Sequence, residues 1–145
     1  MGKLKYRNII TKRLLLRDLK DRDYKPQYRY LSDKKNFPYA DYKTAETMQD
    51  VVDFFGRMMR DQLTTSLFWV ISKRFTRKAI GTISAWNVDF DLNSIEFGYS
   101  LYPKHRGKGY MKEALSALMD YCHKELGFNI LDIWTDKSNE HSRTL

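Results

Sequence analysis

The sequence predicts a layered α/β domain built on a mixed sheet, and three stretches carry that prediction. Ser94 to Leu101 alternates Ile95, Phe97, Tyr99 and Leu101 against Glu96, Gly98 and Ser100, the two-residue period of a half-buried strand. Gly109 to Leu126 puts Met111, Ala114, Leu115, Leu118, Cys122 and Leu126 on one helical stripe, with Gly127 at the position just past the end. Phe128 to Thr135 is apolar on both faces, which suits a parallel, doubly covered strand reached by a helical crossover.

The remaining elements follow in chain order. Asn8 to Leu19, around Leu14-Leu15-Leu16, is a short apolar strand. Asp21 to Leu31 is a short helix, with Pro26 tolerated in its first turn. Asn36 to Lys43 is an aromatic-rich loop whose Phe37, Tyr39 and Tyr42 either line a pocket or pack on the core. Thr44 caps a longer helix in which Met48, Val51, Val52, Phe55 and Met59 share a face. Phe68 to Lys73 and Lys78 to Trp86 are strands joined by the basic turn Arg74 to Arg77, and Asn87 to Asn93 turns into Ser94 to Leu101. Asn139 opens a last helix. The order β, α, α, β-β-β, α, β sets three hairpin-linked strands beside one crossover strand, hence a mixed sheet.

Composition narrows the function classes. At 145 residues one domain is expected, large enough for a hydrophobic core without metal or disulfide. A single cysteine excludes an internal disulfide framework and points to a reducing compartment. The longest apolar run, Leu67 to Ile71, is far short of the roughly 20 residues that span a bilayer. Met1 to Tyr6 has no apolar signal core, so a cytoplasmic protein is expected. Lys plus Arg number 26 against 18 Asp plus Glu, a net charge of +8 that favours anionic partners. With ten tyrosines, that charge also fits an alternative: a basic RNA- or ribosome-binding module without catalysis. The cations are scattered, however, and no RNA-binding signature is present.

The stretch richest in chemistry is Lys104-His105-Arg106-Gly107-Lys108-Gly109-Tyr110, between a strand and the long helix. Two glycines let main-chain N–H groups converge, and the helix start adds unpaired donors and a positive dipole end. Arg106, Lys108 and Lys112 crowd the same turn, which suits a pyrophosphate, although a soft loop with solvated lysines has the same composition. It is neither a P-loop nor a dinucleotide fingerprint, because Lys112 stands where the third glycine would be.

Glu96 to Pro103, followed by His105 to Leu115, resembles the acetyl-CoA-binding core of the GNAT superfamily of N-acetyltransferases, in particular its RimJ/RimL-type branch. Thr11 to Arg17 resembles that branch's first strand, and Thr135 to Ser142 its segment after the fifth strand. The resemblance implies a mixed, splayed central sheet with helices on both faces, and one acetyl-CoA-binding domain over residues 1–145. It implies acetyl-CoA as donor, with no metal, and direct transfer to a primary amine of a protein N-terminus, a polyamine or another small molecule. The family's phosphate turn falls on Lys104 to Gly109, with Lys104 where the family has Gln or Arg. The implied cofactor-binding residues are Tyr99, Ser100 and Leu101 on the strand, Arg106, Gly107, Lys108, Gly109, Tyr110 and Met111 on the turn and helix, and Asn139 beyond.

An amine attacks a thioester only when neutral, so a base must take a proton from the ammonium form. A strand N–H near Tyr99 to Leu101 could serve the developing oxyanion. Glu96 is the base candidate, standing opposite Ile95 and Phe97 on its strand; the other reading is a surface carboxylate paired with a lysine. Ser142 is the candidate for assisting the thiolate. His105 and His123 read as surface residues, Cys122 as a buried inert thiol, and Trp69, Trp86 and Trp134 as core. Relatives continue through a complete helix and two more strands, and the tyrosine many of them use as general acid would fall seven residues after Asn139. The expectation is therefore a shortened chain lacking the usual C-terminal strands. An edge would be left exposed after residue 135, which a homodimer could cover.

Overall fold

The computed structural model describes residues 4–38 and 43–133. Six strands form one sheet in sequence order: β1 (Ile9–Ile10), β2 (Leu14–Arg17), β3 (Leu67–Lys73), β4 (Ala79–Asp89), β5 (Ser94–Leu101) and β6 (Ile130–Ile133). Every neighbouring pair is antiparallel except β5 and β6, which run parallel. The mixed sheet expected from the element order is therefore present. Three α-helices accompany it: α1 (Tyr24–Ser32), α2 (Met48–Arg60) and α3 (Tyr110–Asp120).

The helices divide between the two faces. Odd-numbered residues of β5 share one core with Trp69, Ile83 and the Met111, Ala114, Leu115 and Leu118 stripe of α3. On the other face, Phe68, Val70, Ala79 and Tyr102 pack with Tyr30 and Leu31 of α1 and Val51 and Phe55 of α2. Strand alternation sorts side chains between these cores, because successive residues point to opposite faces. Trp69 is fully buried and donates its indole N–H to the Arg7 carbonyl, 2.9 Å away, a structural role.

Several expectations need correction. The first strand is a hairpin, β1 and β2, because Thr11 to Arg13 turns, with the Thr11 N–H on the Leu14 carbonyl. The cap of α2 is Thr47 rather than Thr44: Thr47 and Asp50 bond each other's main-chain N–H in a capping box. Met48, Val52 and Met59 of the expected stripe are about 40% exposed, because α2 meets the sheet through the narrower pair Val51 and Phe55. Strand β4 runs on to Asp89, whose carboxylate accepts from the N–H groups of Asp91 and Leu92 to form the turn. The long helix is α-helical to Asp120 and closes in a π-turn over Tyr121–Glu125. Finally, β6 is parallel but not doubly covered: it is the outermost described strand, and Ile130 and Ile133 stay 47% and 42% exposed.

Candidate active site

The site is built where β5 hands over to α3. The Tyr102 N–H donates to the Ile80 carbonyl at 2.8 Å, so at Tyr102 the main chain of this segment faces β4. Alternation then turns the main-chain groups of Tyr99 and Leu101 to the opposite edge. Along that edge β6 pairs with Ser94 through Phe97 and, as described, ends at Ile133. The second half of β5 therefore has no described strand beside it. The Leu101 carbonyl accepts from Arg106 Nε at 2.9 Å, which leaves Tyr99 to offer its main chain there. Ser100 differs: its main chain faces β4, and its hydroxyl shares a 2.8 Å hydrogen bond with Thr82.

Pro103–His105 makes a single 3₁₀ turn, tied by the His105 N–H to the Tyr102 carbonyl. Gly107 and Gly109 then take φ of +76° and +81°, left-handed values that disfavour any side chain. Gly109 caps α3, and the first helical bond runs from the Glu113 N–H to the Gly109 carbonyl. Among the described residues, the main-chain N–H groups of residues 107 to 112 donate to no protein acceptor. Six successive unpaired donors at a helix start form an anion-binding concavity. Lys108 and Lys112 are exposed beside it, while the Met111 side chain is buried in the core and leaves only its N–H for a ligand. This arrangement fits a pyrophosphate.

A hydrogen-bonded strut holds the turn from outside. Arg13 Nε bonds one Glu113 oxygen at 2.7 Å, while the Arg13 N–H and the Thr11 hydroxyl bond the other. Arg13 Nη1 donates to the Lys108 carbonyl at 3.0 Å, and its guanidinium lies 4.4 Å from the centre of the Tyr110 ring. Burial raises the affinity of the Glu113 carboxyl for its proton, but the bonds from Thr11 and Arg13 outweigh that and hold it below the usual carboxylate range. Partners 100 residues apart gave the sequence no local signal of this strut.

Glu96 stands on the α1/α2 face of β5, opposite Trp86 of β4. Its Oε1 accepts from Asn87 Nδ2 at 2.8 Å, and no lysine among the described residues pairs with it. Trp86 is 44% exposed, not core, and its indole nitrogen lies close over Gly98. Glu96, Trp86 and Gly98 thus form a partly open patch on the face opposite α3. Asn139, Ser142, Trp134, Tyr39 and Tyr42 lie outside the described residues. Phe37 packs edge-on against Tyr30.

Two further titratable residues are buried. His105 is only 4% exposed, not the surface residue the sequence suggested. Burial, and then Lys73, Lys104, Lys108 and Lys78, lower its pKa to about 4. Cys122 is buried, and burial pushes its thiol up to about 12, so it is inert as expected.

Comparison with known proteins agrees with this geometry. The sequence pattern of the acetyltransferase (GNAT) domain matches residues 13–145. The uncharacterised N-acetyltransferase YnaD of Bacillus subtilis is 30% identical over 122 residues, 84% of this chain and 69% of its own length. YoaA of the same organism is 25% identical over 93% of this chain and 77% of its own length. Among solved structures, a GNAT-family acetyltransferase from Bacillus anthracis superposes with a TM-score of 0.77 at 23% identity, over 92% of this chain and 76% of that one. No helix among the described residues is long and apolar enough to cross a membrane. The chain belongs to the GNAT acetyltransferase family, whose members take an acetyl group from acetyl-CoA.

Proposed function

We propose that residues 1–145 act as one acetyl-CoA-binding domain that transfers acetyl to a primary amine by direct attack in a ternary complex. The observation that carries this is the run of six unpaired N–H groups at residues 107 to 112. In this reading Gly107, Lys108, Gly109, Tyr110 and Met111 hold the pyrophosphate through main-chain amides, with the Arg106 and Lys108 side chains adding positive charge. Tyr99 offers its main chain to the pantetheine arm along the open edge of β5, beside Ser100 and Leu101. Acetyl-CoA, when bound, supplies the activated thioester. Glu96 accepts the proton that the incoming ammonium must lose, and the Asn87 amide bonded to it fixes the carboxylate's orientation.

The acceptor is a primary amine presented from the α1/α2 face, where Glu96 stands. Proteins of similar fold include RimL, named as a ribosomal L7/L12 alpha-N-protein acetyltransferase, and a spermidine N-acetyltransferase chimera. Protein N-termini and polyamines are therefore the first acceptors to assay. The test has two arms. Acetyl-CoA and CoA should raise the thermal midpoint by several degrees, and an amine panel should release free CoA thiol only in the presence of a competent acceptor. No thermal shift with either cofactor would overturn the reading.

A further inference from the structure

We infer that a cavity on the α1/α2 face is a second binding site, for a small molecule that carries one phosphate ester on a flat ring. The cavity, about 390 Å³, lies between α1 with the turn that follows it, the start of β4 and the turn after β5. That volume suits a small ligand. Its apolar wall is formed by the Tyr30 and Tyr102 rings, whose centres are 5.3 Å apart. Arg29, Lys78 and Lys104 stand at its rim, all exposed. No carboxylate pairs with any of the three among the described residues. The one rim acid, Asp33, accepts the Lys35 N–H. Lys78 crowds the Lys104 ammonium and, with a smaller contribution from burial, weakens its hold on a proton. Three cations against one carboxylate leave the rim net positive, which attracts an anion.

The second, independent observation is His105. It lines the cavity, is 96% buried, and has no hydrogen-bond partner at either ring nitrogen. A buried imidazole without partners is unfavourable, so it calls for one. An anion in the cavity lies beside that ring, where a small rearrangement brings an oxygen to its N–H; the rim cations take the remaining charge, and the wall made by the two tyrosine rings receives the ligand's ring.

This site is separate from the cofactor site. The six free amides span residues 107–109 of the turn and the first three residues of α3, and α3 packs on the opposite face of the sheet. It is also separate from Glu96, six strand residues or about 20 Å from Tyr102. The inference therefore goes beyond the proposed acetyl transfer and stands without it.

The test uses phenyl phosphate with the full chain, followed by calorimetry and by NMR of the histidine rings. Phenyl phosphate should bind and move the His105 ring signals, with phenol and inorganic phosphate each at least tenfold weaker. Arg29→Gln with Lys78→Gln should weaken phenyl phosphate tenfold or more. Saturating CoA should leave its affinity unchanged. Displacement by CoA would assign the cavity to the cofactor and overturn the inference, as would an unmoved His105 signal or an unaffected double variant. The rim variants are exposed, so the test does not depend on His105→Phe folding.

Discussion

At the scale of single residues, the anion site depends on two positive φ angles. A Cβ at Gly107 would meet open space, whereas one at Gly109 would sit 3.4 Å from Arg13 Nη2. Both alanine variants carry the left-handed penalty of about 1–2 kcal/mol, and only Gly109→Ala also touches the strut, at van der Waals distance. Gly109→Ala should therefore weaken acetyl-CoA about tenfold or more, and Gly107→Ala less. Equal losses measured by calorimetry would mean that the strut plays no part. Glu96→Gln keeps the bulk and the bond to Asn87 but cannot take a proton. The rate should fall by about 10²–10⁴-fold with the KM for acetyl-CoA unchanged; an unaltered rate would remove Glu96 as the base. The two turn glycines and the strand position of Glu96 were legible in the sequence because each lies inside one contiguous pattern. His105 was not, since nothing in Lys104-His105-Arg106 tells a buried ring from a solvated one.

At the scale of elements, alternation in β5 and the stripe of α3 were readable because one period governs each. What escaped were contacts between elements. Thr44 and Thr47 both precede an apolar periodic run, and only Asp50, three residues after Thr47, distinguishes the cap that forms. The exposure of β6 escaped because an apolar run on both faces reads the same at an edge as in the middle of a sheet. The Arg13–Glu113 strut escaped because its halves belong to the β1–β2 turn and the first turn of α3. It makes that hairpin a support for the anion site: Glu113 receives bonds from Thr11 and from both the main chain and the side chain of Arg13. Glu113→Ala should lower stability by about 1–3 kcal/mol. It should also weaken acetyl-CoA binding, read at a temperature where the variant is fully folded. Stability lost with no change in affinity would make the strut a brace for the fold alone.

At the scale of the molecule, the excess of positive charge has a consequence for pH. The ordinary histidine pKa is 6.5, and burial with four nearby lysines lowers that of His105 to about 4 in the folded chain. Between those values the unfolded chain binds the extra proton and the folded chain does not, so stability rises with pH across that window. The contribution is complete above 6.5, is lost as pH falls toward 4, and amounts to at most about 3 kcal/mol. Glu113 and Asp50 are held below their ordinary values, so their contributions fade only at lower pH, as they protonate. Acid should therefore weaken the fold in two stages, a histidine stage followed by a carboxylate stage. Thermal midpoints measured from pH 7 to 4.5 should fall by several degrees in the native chain and stay nearly flat in His105→Phe. Phenyl phosphate at saturation should shrink the native fall, because an anion beside the ring makes its protonation easier in the folded state. A flat native curve over that range would show that His105 titrates as a solvated group, and would remove the buried ring on which the second site rests.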